Sequence, residues 1–116
     1  MPPNKKNPLG LNALQLKTLT LFQALAALEN HATPATDEPG AVVIDDLPHP
    51  HGDHFHLGDA VVASRNATGL ANPAVWTALA RKDLIRNNHP SGQLVVTAAG
   101  LAYETGLGDL LHRADH

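Results

Sequence analysis

The chain has 116 residues, 43% of them apolar, and its 8 Lys and Arg against 11 Asp and Glu give a net charge of -3. That length holds one hydrophobic core and not two, and the composition is that of a folded globular domain. The absence of cysteine excludes disulfides, thiolate zinc sites, iron–sulfur clusters and cysteine nucleophiles together.

The first ten residues, "MPPNKKNPLG", carry three prolines and two lysines and read as a flexible arm over 1–10. They lack the apolar stretch of a signal peptide, and no apolar run approaches the roughly 20 residues of a membrane span, so a cytoplasmic protein is expected. In "LGLNALQLKTLTLFQALAALEN", Leu11, Leu14, Leu21, Leu25 and Leu28 recur at helical spacing with Phe22 beside them. They fall on one half of a helical wheel and Asn12, Thr20 and Gln23 on the other, which predicts an amphipathic helix. Its stripe must be buried, against the rest of the domain or in a homodimer through this helix.

"HATPATDEPGA" breaks the pattern with two prolines, an acidic pair and a Pro-Gly turn. "AVVIDDL" is β-branched and short enough for a strand. "HFHLGDAVVA" alternates, with Phe55 and Leu57 on one face and His54 and His56 on the other. The two are expected to pair as a histidine-rich hairpin over 41–60 whose tip is "PHPHGD".

"SRNATGLANPAVWTALARKDLI" returns to helical spacing. Asn72-Pro73 is a start signal, because Asn caps the first free N–H groups and Pro suits the first turn. Val75, Trp76, Leu79 and Leu84 form the inward side. The segment just before it is open between a further short helix and a continuing strand. Leu84 to Asn87 and Gln93 to Thr97 read as two short strands joined by "HPSG". Thr97 is the expected N-cap of a last helix through Leu101 and Tyr103. The whole is an α+β domain over 11–110, ordered helix–β-hairpin–helix–β-hairpin–helix, with a frayed end at 111–116.

Charge is uneven along this order. Glu29 to Asp59 holds seven acidic side chains and no Lys or Arg, whereas Val61 to Gly100 holds Arg65, Arg81, Lys82 and Arg86 against Asp83. Two faces with different partners are expected. The aromatics are Phe22, Phe55, Trp76 and Tyr103, too few for a platform that stacks single-stranded bases.

"HPHGDHFH" concentrates the chain's imidazoles. Zinc accepts four N or O donors, and His54 and His56, two apart on a strand, project from the same face. His49, His51, His54 and His56 are therefore the candidate metal ligands, with zinc as the ion; a solvated turn whose imidazoles bond Asp45, Asp46 or Asp59 is the alternative. The first six letters also resemble the H-x-H-x-D-H string of metallo-β-lactamase-type hydrolases, which would add Asp53 to the ligands. The resemblance stops at six residues, and that family's remaining ligands have no counterpart here.

"GLANPAVWTALARKDLI" followed by "LVVTAAGLAYE" resembles the recognition helix and wing of winged helix-turn-helix proteins such as the MarR-like and PadR-like regulators, over residues 69–104. The resemblance implies a small winged-helix-like domain in transcription regulation, binding double-stranded DNA with a helix in the major groove and a wing on phosphates. The implied contacts are Asn72, Thr77, Arg81 and Lys82 on the helix and Arg86, Asn87 and Asn88 on the wing, with His89 beside them. Asp83 stands where the family's glycine follows the helix, and the outward face carries alanines. A module that meets a partner protein, or a metal-binding protein built on the histidine turn, are the other readings.

No nucleophile elbow, phosphate loop or dinucleotide-binding glycine pattern occurs. Asp45 and Asp46 are adjacent on a strand and point to opposite faces, so they cannot act on one bond. No enzyme activity and no cofactor are expected.

Overall fold

Asn12 starts the first helix. Its Oδ1 accepts from the Gln15 N–H at 2.8 Å, and Gln15 Oε1 accepts from the Asn12 N–H at 3.0 Å, so two end donors of the helix are satisfied reciprocally. The computed structural model describes residues 9–28, 32–36, 38–45, 50–51, 54–57, 60–86, 94–107 and 112–113. In chain order these form α1 (Ala13–Ala26), β1 (Ala32–Pro34), β2 (Val42–Ile44), β3 (Pro50–His51), β4 (His54–Leu57) and β5 (Ala60–Ala63). Two 3-10 turns follow (Ser64–Asn66 and Thr68–Ala71), then α2 (Pro73–Arg81), β6 (Ile85–Arg86), β7 (Leu94–Val96), α3 (Ala98–Ala102) and β8 (His112–Arg113). The fold is α+β: three α-helices with two antiparallel sheets, β1-β2-β7-β6 and β3-β4-β5-β8.

α1 lies in the middle of the core and is covered on more than the one stripe its leucines predict. Leu19, Leu21, Phe22 and Leu25 are fully buried, and so is Thr18. Thr20, expected on the outer half, is 5% exposed. Its hydroxyl donates to the Leu16 carbonyl at 2.8 Å and lies 2.7 Å from the Thr105 hydroxyl, while the Thr18 hydroxyl donates to the Leu14 carbonyl at 2.8 Å. Threonine can be buried in a helix at little cost when its own backbone takes the proton. Gln23, also expected outside, donates to the Gly100 and Tyr103 carbonyls, both at 2.8 Å, and so ties α1 to α3.

The hairpin expected over 41–60 does not form. β2 pairs with β1 on one side and β7 on the other, in the register Val42↔Val96 and Ile44↔Leu94. β4 pairs with β3 and β5 in the second sheet. The two strands differ in chemistry. "VVI" is apolar on both faces and takes a central position beside the wholly buried β7, whereas "HFHL" alternates and keeps one face wet. Phe55 and Leu57 face the core shared with Ile44, Leu94 and Val96, and His54 and His56 face away.

The segment left open before α2 is both things in turn: β5 runs to Ala63 and the two 3-10 turns follow. Gly69 in the second turn sits directly on α1. A Cβ there would stand 1.8 Å from Thr18 Oγ1, so the approach requires glycine. α2 then begins as its sequence predicts, with Asn72 Oδ1 accepting from the Ala74 N–H at 3.0 Å and Pro73 in the first turn. The Trp76 ring meets Phe22 edge-on, centroids 5.7 Å apart at 82°, and its Nε1–H donates to the Gly69 carbonyl at 3.1 Å.

Beyond α2, Asp83 takes φ 62, the left-handed conformation that glycine holds more cheaply. β6 and β7 pair in the register Ile85↔Val96 and Arg86↔Val95. Asn87, Asn88 and His89, assigned to the tip of that flap, lie outside the described residues, as does His49. The first and last described segments are tied in at the backbone. Leu9 donates its N–H to Tyr103 Oη at 3.0 Å and accepts from Lys82 Nζ at 3.0 Å, and β8 pairs with β5 through Ala60↔Arg113 and Val61↔His112.

Candidate functional site

α2 presents two faces. At ~100° per residue, Val75, Trp76 and Leu79 gather on one side and Ala74, Thr77, Ala78 and Arg81 within a narrow stripe on the other. The first group carries the buried Val75 and Leu79; in the second, Ala74, Thr77 and Arg81 are exposed. The helix is nine residues long and rests on α1, so the outward stripe is held on a rigid mount. Arg65, on the first 3-10 turn, is also exposed.

The other assigned contact residues that the structure describes have intramolecular partners. Asn72 caps α2 with its Oδ1. Lys82 is exposed, and its ammonium is directed at the Leu9 carbonyl. Arg86 is the most committed: Nε and Nη2 face the two Glu38 carboxylate oxygens at 3.3 and 3.4 Å, and Nη1 donates to Asp83 Oδ1 at 3.1 Å. Hydrogen bonding to Glu38, and then to Asp83, raises the guanidinium pKa above its ordinary value. Arg86 is thus a charge already neutralised from within the chain.

Arg86 also belongs to a packing row. Arg86, Val95 and Val43 are in register across β6, β7 and β2, on the face of the sheet away from α1. Val95 is 2% exposed although it lies outside the core around α1, and Arg86, its register partner on β6, bridges to Glu38. Sequence reading missed Glu38 as the partner because it lies in the turn between β1 and β2, far along the chain.

The second candidate is on β4. His54 and His56 share the outer face of the strand, and their Nε2 atoms are 3.1 Å apart. The rings are edge-to-face, centroids 4.8 Å apart at 77°. The β3–β4 register sets the His51 backbone opposite His54. The structure thus brings two of the four predicted imidazoles together. Among the described residues no group of three or more His, Asp or Glu is placed to hold a metal ion.

Comparison of the chain with known protein families, with curated proteins and with solved structures finds no match. Among the described residues no helix is long and apolar enough to cross a membrane.

Proposed function

We propose that the chain is a small winged-helix-like domain that binds double-stranded DNA through the outward stripe of α2, in the manner of a transcription regulator. The observation that supports this reading is the mounting of α2. Helical turns lead into it, α1 backs it through Trp76 and Leu79, and the β6–β7 flap behind it returns to the capped α3. The 3-10 turns at Ser64–Asn66 and Thr68–Ala71 precede α2, and on this reading they take the part of the first short helix of a helix-turn-helix. Thr77 is the base-facing candidate, and Arg65, Arg81 and Lys82 the phosphate contacts. Arg86 serves the fold instead.

Three phosphate contacts predict weak, salt-sensitive binding, with log affinity falling against log salt at a slope of about -3. A fluorescence-anisotropy titration of duplex DNA over a salt series measures it. Arg81→Ala reduces the slope by about one. No binding at low salt, or a slope unchanged in that variant, rejects the reading.

A second reading keeps the mount and changes the partner. The outward stripe carries two alanines and a threonine with a single guanidinium, chemistry that suits a protein surface as well as a groove of base edges. On that reading Thr77→Glu abolishes capture of a protein partner, and the chain shows no salt-dependent affinity for DNA at all.

A further inference from the structure

We propose that His54 and His56 form a chelating pair for a divalent ion of the later first transition series, with copper(II) held more tightly than nickel(II) or zinc(II). The inference does not depend on what α2 binds. It rests on where β4 puts two imidazole nitrogens.

Because Phe55 and Leu57 are drawn to the core, the alternation of the strand leaves both imidazoles on one outer face. Their Nε2 atoms stand 3.1 Å apart. Two metal–nitrogen bonds of about 2.0–2.1 Å spanning that separation meet at roughly 95–100°, between the square-planar and tetrahedral angles. Neither the strand nor the spacing of the rings has to change for one ion to reach both nitrogens. Copper(II) suits the square-planar limit and zinc(II) the tetrahedral one, and affinity for nitrogen donors rises to copper(II) along the series.

An imidazole binds a metal through a ring nitrogen that carries no proton, so in the loaded pair both Nε2 lone pairs go to the ion. Water fills the remaining positions. His54 is half-buried and His56 exposed, so the ion approaches from the solvent side.

The test uses the full chain without a polyhistidine tag, titrated with copper(II) and separately with zinc(II) by calorimetry, with the imidazole resonances followed by NMR. The expected result is one ion per chain, copper(II) tighter than zinc(II), and the His54 and His56 rings shifting first. His54→Ala and His56→Ala each weaken binding about tenfold or more, since even an outer-shell partner of a metal site is worth about 10–100-fold. The double variant loses little beyond either single one, because one substitution already breaks the chelate. His31→Ala leaves the affinity unchanged. Should His54→Ala unfold the strand, His56→Gln at the exposed position decides, judged beside an unchanged circular-dichroism spectrum. Sub-stoichiometric uptake, or single variants that bind as the parent does, overturns the proposal.

Discussion

The Thr97 hydroxyl donates to the Asp83 carbonyl at 2.7 Å and accepts from the Gly100 N–H at 2.9 Å. One buried side chain therefore joins the end of α2 to the beginning of α3, bridging the base of the β6–β7 flap. The Thr97 N–H adds a bond to the Leu84 carbonyl at 3.1 Å. This junction fixes where the flap leaves the helix.

Thr97→Val keeps the shape and removes the hydroxyl, leaving a helix-end donor and a carbonyl without their partner. The expected loss is about 1–3 kcal/mol, the range for a lost cap and for buried groups left unsatisfied. Urea denaturation of the parent and the variant measures it. A midpoint that does not move would mean that water replaces the hydroxyl at no cost.

Asp83 is the strained member of the junction. At φ 62 its Cβ crowds the following carbonyl, a cost glycine escapes. Its carboxylate gives back little, because the pairing with Arg86 is at a side chain 79% exposed, where a salt bridge is worth about 0–1 kcal/mol. Asp83→Gly is thus expected to stabilise the domain by about 0.5–1 kcal/mol and Asp83→Val to destabilise it. The reverse order in thermal melting would show that the Arg86 pairing outweighs the backbone strain.

Gly100 closes the same junction from the other side. A Cβ there would lie 2.0 Å from the Leu84 carbonyl oxygen and 3.0 Å from its carbon, backbone atoms that cannot turn aside. Gly100→Ala must push α3 off the Leu84 backbone, and with it the carbonyl that accepts from Gln23. The expected cost is at the upper end of about 1–3 kcal/mol. A midpoint in urea equal to the parent's would exclude this close packing.

What was legible in the sequence is what is local. Asn72-Pro73 and Thr97 cap helices using residues within three positions, and the short flap pairs neighbours along the chain. Even Asp83 announced itself, as a residue standing where glycine was wanted. Partners far apart were not legible. β2 was paired with the nearest strand, whereas its apolar faces select the buried β7. Thr20 read as a polar position because the wheel cannot show that its hydroxyl turns back on α1. The closeness of the two imidazoles was legible because His54 and His56 are two apart on one strand.

Arg81 and Arg86 look interchangeable in the sequence, and the structure separates them. Arg81 is exposed on the outward stripe of α2. Arg86 is held by Glu38 and Asp83, its side chain 42% exposed and Glu38's 32%, and is in register with the buried Val95. Arg86→Ala removes both the bridge and an apolar stem, and should cost stability by about 1 kcal/mol. Arg81→Ala should leave the urea midpoint unchanged. For DNA the order inverts: Arg81→Ala lowers the salt slope, whereas folded Arg86→Ala retains it, since its guanidinium was neutralised before any phosphate arrived. Swelling of the salt dependence in Glu38→Gln would follow from the same logic, because it releases Arg86 toward the duplex. Equal effects of Arg81→Ala and Arg86→Ala on the slope would mean that the Glu38 bridge opens on binding, and that the flap itself carries phosphate contacts.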